Sequence, residues 1–137
     1  MIQIDRSEER YGEGDASFKA AGEEDGIRKL ANDFYDQMTD LAQASHIRDM
    51  HSEDLTPSRD KLFRFLCGWL GGPMLYQEKY GSINVPQAHQ HLQIGRHERD
   101  AWLFCMQKAL ERQPYKESFK QYLMTELAKP AEACRTF

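Results

Sequence analysis

Apolar residues recur every three or four positions in four stretches of the 137-residue chain. This spacing places apolar side chains on one face of an α-helix. The clearest stretch begins at Asp25, and we expect a helix that extends to about Ala42. Three further long helices are predicted: one that Thr56 caps, with Pro57 in its first turn, and that ends at Gly71; one that ends before Pro114; and one over 115–128 that Pro130 closes.

The segments between these helices are less regular. A short helix capped by Asp15 is predicted over 16–21, and short turns over 45–55. From Gly71 to Gly95 we expect only short elements, over 74–80 and at Asn84-Val85-Pro86. Residues 1–14 are polar and predict a flexible N-terminal extension, which leaves 15–137 as one domain.

Composition favours an all-α fold. The chain has one valine, six isoleucines and four threonines, against twelve leucines and six methionines. β-Branched residues are typical of strands, whereas leucine and methionine are typical of helices.

Charge and hydropathy exclude several classes of function. The net charge of −4 argues against a nucleic-acid-binding protein with a broad basic face. The chain lacks an 18-residue apolar run and an apolar signal core, so we expect a cytoplasmic protein that does not span a membrane. The chain has three cysteines, and because an odd number cannot all pair, we do not expect a disulfide framework.

Familiar catalytic motifs are missing from the sequence. It contains no Gly-x-Ser-x-Gly, no phosphate-binding loop and no dinucleotide fingerprint. Cys67 and Cys105 lie among apolar residues and are interpreted as core cysteines. His89, His91 and His97 could bind zinc, but their spacing matches no standard zinc motif.

The irregular middle is the first indication of function. The short helices and long connections between Gly71 and Gly95 do not suit a tightly packed four-helix bundle, in which loops are short. A large flat cofactor would fill the space that they leave. His89 lies on a proline-started turn and is followed by Leu92 and Ile94, which suits haem ligation, although a solvent-exposed histidine is the simpler alternative. Tyr35 and Trp102 lie on apolar helix faces, where core packing explains them unless both face one cavity.

Several short motifs identify a family. They are Phe34-Tyr35, Phe65-Leu66, Gly71-Gly72-Pro73, Tyr76, Tyr80-Gly81, His89-x-x-Leu92-x-Ile94, Arg99-Asp100-Ala101-Trp102-Leu103 and Cys105-Met106. From about Ala20 to Leu127 the chain resembles the group II truncated haemoglobins. The resemblance implies a two-over-two helical sandwich around haem b.

The resemblance also assigns roles to residues. His89 matches the proximal histidine that ligates the iron, and Tyr35 and Trp102 match the distal residues that hydrogen-bond a bound ligand. Further haem contacts are expected from Phe34, His51, Leu62, Phe65, Leu66, Tyr76, Leu92, Ile94 and Met106.

The sequence departs from the family pattern at three places. The aromatic position before the helix that roofs the haem falls on Met50 or His51, and we favour His51. The arginines that usually precede the proximal histidine are replaced, so the haem propionates are left to Lys79, Arg96 or His97. The position that gates ligand access falls near Ser58.

The resemblance implies reversible binding of O2, and also of NO and CO. An alternative is oxidation of NO, or removal of peroxide or peroxynitrite, which would need an external reductase. Whether Tyr35, His46, Met50 or His51 serves as an internal sixth ligand stays open, and a monomer or weak homodimer is expected.

Overall fold

A computed structural model describes residues 10–137. These residues contain eight α-helices and no strand, which confirms the all-α prediction. The helices are α1 (Ala16–Ala20), α2 (Glu23–Asp40), α3 (Ser45–Asp49), α4 (Thr56–Trp69), α5 (Leu75–Tyr80), α6 (Val85–Ala88), α7 (Arg96–Glu111) and α8 (Glu117–Ala133).

Four long helices form the core in two layers. Helix α2 packs against both α4 and α7, and α7 packs against α8. Each of the four contributes buried apolar side chains to one continuous core. Seven residues of α2 are buried, in agreement with the apolar face that its sequence predicts.

Two predicted helix ends are wrong. Thr56 is the first residue of α4 rather than its cap, and its N–H donates to the Asp54 carboxylate at 3.0 Å. Pro130 does not close α8, which continues to Ala133. A proline in the last turn removes only one helical hydrogen bond, and the N–H of Cys134 donates to the Pro130 carbonyl, so the helix tolerates it.

The short elements of the middle segment agree with the prediction. Gly81 ends α5 with a positive φ of 82°, a conformation that glycine adopts without strain. The Asn84 side chain accepts a hydrogen bond from the Gln87 N–H at 3.0 Å and so caps α6. The single turn that carries His89 is therefore fixed at its start by local sequence.

Of the predicted flexible extension, residues 1–14, the part over 1–9 lies outside the described residues. The last residues of the extension contact the core. The Tyr11 ring lies 5.1 Å from that of Phe119 and 5.2 Å from that of Tyr122, and the Gly12 N–H donates to Ser17 Oγ at 2.8 Å.

The cysteines Cys67 and Cys105 are fully buried, which confirms their interpretation as core residues. Burial raises the pKa of each thiol to about 11. Because the thiolate is the nucleophilic form, both residues are unreactive at neutral pH.

Candidate functional site

A cavity of about 410 Å³ lies between the helical core and the irregular middle segment. This volume is in the range of small-molecule and cofactor sites, and most of the wall is apolar. Its wall brings together residues of α2, α4, α7 and α8 with residues 76–94 of the middle segment.

His89 lies in the cavity wall, directly after α6. Its Nδ1 is 2.6 Å from the Val85 carbonyl oxygen. Since a carbonyl oxygen only accepts hydrogen bonds, Nδ1 carries the proton. The neutral imidazole therefore keeps an unprotonated Nε2, the form in which histidine binds iron while a carbonyl orients its ring.

Tyr35 and Trp102 line the same cavity. Core packing alone therefore does not explain them, as would have been the case if they faced different parts of the molecule. The Tyr35 side chain is 7% exposed, and burial raises its pKa to about 12 despite the nearby Arg59 and a hydrogen bond with Ser58. The phenol thus stays protonated at neutral pH and can donate a hydrogen bond, as can the indole N–H of Trp102.

Two predicted haem contacts lie behind the wall instead of in it. Phe34 is fully buried, with its ring 4.9 Å from those of Tyr35 and Trp102. Met106 is also fully buried in the core. The apolar face of a helix is wider than the part of it that faces the cavity. Apolar residues beside a lining residue therefore pack against other helices.

The remaining predicted apolar contacts reach the cavity. They are Leu62, Phe65, Leu66, Tyr76, Leu92 and Ile94. The first three lie on α4, Tyr76 lies on α5, and Leu92 and Ile94 follow His89. Ser58 lies in the wall as well.

Among the sixth-ligand candidates, the structure separates His46 from the others. Met50 and His51 line the cavity together with Tyr35, whereas His46 is exposed and lies 3.7 Å from a Glu98 carboxylate oxygen. His51 Nδ1 is 2.8 Å from the Ile47 carbonyl oxygen, so its Nε2 is also unprotonated in the neutral ring. Burial lowers the pKa of His51 and keeps the ring neutral.

The cations at the cavity differ from those expected. Lys61 and Arg99 line it, whereas Arg96 and His97 do not. Lys79 also lies outside the wall and pairs with Asp60 at 2.9 Å.

Sequence reasoning missed the far wall, which α8 and the residue that follows it supply. Its residues are Leu127, Pro130, Ala131 and Cys134. The apolar spacing of α8 already placed Leu127 on an inward face, but the prediction that Pro130 ends the helix hid the other three. Glu98 was also missed. Its Oε1 accepts from the Gly95 N–H at 2.7 Å, an arrangement that the Gly95-x-x-Glu98 spacing signals.

Residues 10–137 contain neither a cluster of metal-binding side chains nor a membrane-spanning helix. No group of three or more histidine, cysteine, aspartate or glutamate side chains there is arranged to hold a metal ion. Within the same residues, no helix is both long and apolar enough to cross a bilayer.

Comparison with known proteins agrees with this geometry. Residues 16–135 match the model of the family described as bacterial-like globin. The chain is 32% identical over 114 residues to the group 2 truncated hemoglobin YjbI of Bacillus subtilis, an alignment that covers 82% of each protein.

Solved structures give the same result. The cold-adapted truncated hemoglobin of Pseudoalteromonas haloplanktis matches with a TM-score of 0.85 and 31% identity, over 88% of this chain and 98% of that one. The truncated oxygen-avid haemoglobin of B. subtilis matches with a TM-score of 0.78 and 28% identity, over 87% and 98%. Fold, family match and relatives agree: this chain belongs to the bacterial-like globins and resembles their group II truncated, two-over-two members.

Proposed function

We propose that the chain binds haem b with His89 as the proximal iron ligand and that it binds O2 reversibly, and NO and CO as well. The family implies a haem cofactor. The observation that carries the assignment of His89 is its hydrogen bond to Val85 at the cavity wall, which leaves Nε2 as the ligating nitrogen. Haem supplies a ferrous iron that takes diatomic gases.

Tyr35 and Trp102 hold the gaseous ligand in this proposal. Both side chains are donors at the cavity, and the raised pKa of Tyr35 keeps its proton in place. Hydrogen bonds to a partly negative group are strong in a site that excludes water. Slow O2 release follows, in keeping with the oxygen-avid relative.

Lys61 and Arg99 are the cations available to the two carboxylates of haem. Arg99 already pairs with Asp100 and Glu132, so its charge is partly compensated. Lys61 is exposed, with its Nζ 5.5 Å from the Tyr80 ring centroid. Lys61 is therefore the more available partner for a propionate at the cavity edge.

Absorption spectroscopy tests the proposal. The purified chain is titrated with haem, and spectra are recorded in the ferric, ferrous and CO-bound states for the native sequence, His89→Ala and the control His97→Ala. His97 is exposed and lies outside the cavity wall. We expect stoichiometric uptake and a Soret band that shifts with CO in the native chain and in the control.

His89→Ala is expected to lose more than about 100-fold in haem affinity, because changes to groups that merely support a ligand already cost 10–100-fold. A native-like titration and CO spectrum for this variant would refute the assignment of His89. No haem uptake by the native chain would refute the function itself.

A further inference from the structure

The last residues of the chain, 134–137, fold back on the segment that follows His89. Thr136 makes most of the contacts. Its N–H donates to the Ile94 carbonyl at 2.7 Å, and its Oγ1 accepts from the Ile94 N–H at 2.8 Å. The same hydroxyl donates its one proton to the Leu92 carbonyl at 2.7 Å. One threonine thus ties down the backbone of two cavity-lining residues.

This connection continues to the proposed iron ligand. The Leu92 N–H donates to the His89 carbonyl at 3.0 Å, while the Leu92 carbonyl receives the Thr136 hydroxyl. Only two residues separate His89 from Leu92. A displacement of the backbone at Leu92 therefore displaces His89 as well.

Side-chain burial does little to fix this part of the chain. None of residues 71–94 is fully buried, although some, such as Leu75, pack partly against the core, so the position of this segment depends more on hydrogen bonds than that of the long helices does. Segments with few buried apolar contacts open locally at low free-energy cost. The bonds from Thr136 consequently matter more here than they would inside the helical core.

The tail is itself held in place. Glu132 accepts from Arg135 Nη1 at 2.8 Å and also pairs with Arg99 of α7. The Phe137 ring lies against Gly95, where an added Cβ would come within 2.9 Å of Cζ. Because the Phe137 side chain is 73% exposed, the ring adds little burial and the hydrogen bonds of Thr136 dominate.

We propose that Thr136 is a positioning residue for the proximal histidine: its hydroxyl and N–H fix Leu92 and Ile94, and thereby set the orientation of His89 toward the iron. This inference rests on the proposed function, in which His89 ligates haem.

The test uses the full chain in four versions: native, Thr136→Val, Thr136→Ser and Thr125→Val. Thr136→Val keeps the side-chain shape and removes the hydroxyl, and Thr136→Ser restores it. Thr125 is an exposed residue of α8, so Thr125→Val is the same change away from the segment. Three quantities are measured: amide hydrogen exchange at Ile94, the iron–histidine stretching band of the ferrous form, and haem transfer to excess apomyoglobin.

In Thr136→Val we expect exchange at Ile94 and haem loss to rise about fivefold, the loss expected from removing one or two solvent-exposed hydrogen bonds. The iron–histidine band should shift and broaden, which a change in general stability would not produce. Thr136→Ser and Thr125→Val should match the native chain.

The outcomes separate the two proposals. Native haem uptake that gives a five-coordinate ferrous form without an iron–histidine band would refute His89 as the ligand, and with it the proposed function. A native band that Thr136→Val leaves unchanged in position and width, with unchanged haem loss, would refute the positioning role alone. Thr136→Ser behaving like the valine variant would also refute it, because the hydroxyl would then not be the cause.

Discussion

The four long helices and the segment 71–94 are built on opposite principles. Helix α2 alone buries seven residues, whereas the segment buries none. Yet the segment contributes eight residues to the cavity wall, among them His89. The helices are held by contacts with each other, and the segment is held by caps, turns and hydrogen bonds. One region supplies stability, and the other carries His89, the proposed iron ligand.

The two donors at the cavity belong to the densely packed helical region. Tyr35 lies on α2 and Trp102 on α7, and these two helices pack closely together. The proposed proximal ligand belongs to the loosely packed segment. Substitutions in the core and in the segment should therefore affect different properties of the protein.

The largest expected effect comes from a matched pair of leucine truncations. Leu30→Ala removes a side chain that is 1% exposed in the core of α2, and should lower the free energy of unfolding of the haem-free chain by about 2–5 kcal/mol. Leu92→Ala removes a half-buried side chain from the segment and should cost less than about 1 kcal/mol in the same chain while weakening haem binding. Urea unfolding and haem titration measure both. Equal losses of stability in the two variants would contradict the contrast.

The next largest effect concerns the distal donors. Tyr35→Phe combined with Trp102→Phe should accelerate O2 dissociation by about 10–100-fold, since hydrogen bonds to charged groups contribute about 1.5–3 kcal/mol each and partly compensate for one another. Haem affinity should fall far less than in His89→Ala, because phenylalanine keeps an apolar ring at both positions of the cavity wall and the proximal histidine is unchanged. Stopped-flow displacement of O2 by CO measures the rate. An unchanged rate would show that the pair does not hold the ligand.

A smaller effect is expected where the two regions join. The Asp60 carboxylate of α4 accepts from Tyr80 Oη at 2.6 Å, from Lys79 at 2.9 Å and from Arg64 at 2.9 Å. The hydrogen bond from Tyr80 is the main cause that lowers the pKa of Asp60 to about 2. Asp60→Asn should lower Tm at pH 7 by no more than about 3 °C, because the cluster is close to solvent.

The sign of the pH dependence follows from the lowered pKa of Asp60. Its stabilising contribution is complete above the ordinary pKa of 3.8 and is lost as the pH falls toward about 2. Thermal melts of the native chain and Asp60→Asn should thus differ at pH 7 and converge near pH 2. A constant difference across that range would mean that the carboxylate charge is not responsible. Asp40→Asn, at an exposed residue of α2, is the matched control.

Local sequence determined most of the fold. The apolar spacing in α2, α4 and α7 predicts helices with a buried face, and each of these helices has one. Gly81 and Asn84 set the ends of the short elements through backbone conformation and capping. These are short-range effects, so they can be interpreted without knowledge of the partners. The short motifs that resemble group II truncated haemoglobins are also local in sequence, and they predicted His89, Tyr35 and Trp102 as site residues.

What tertiary structure alone decided is which side chains reach the cavity. Phe34 and Tyr35 are neighbours on one helix, yet only Tyr35 lines the wall, because the packing of α2 on α7 fixes the rotation of the helix. Docking of the helices likewise decides which cations reach the cavity: Lys61 and Arg99 line it, whereas the predicted Arg96 and His97 do not. The pairing of Thr136 with Ile94 spans 42 residues, and no local pattern encodes such a contact. Sequence determines elements through neighbours along the chain, whereas a cavity wall depends on how distant elements dock.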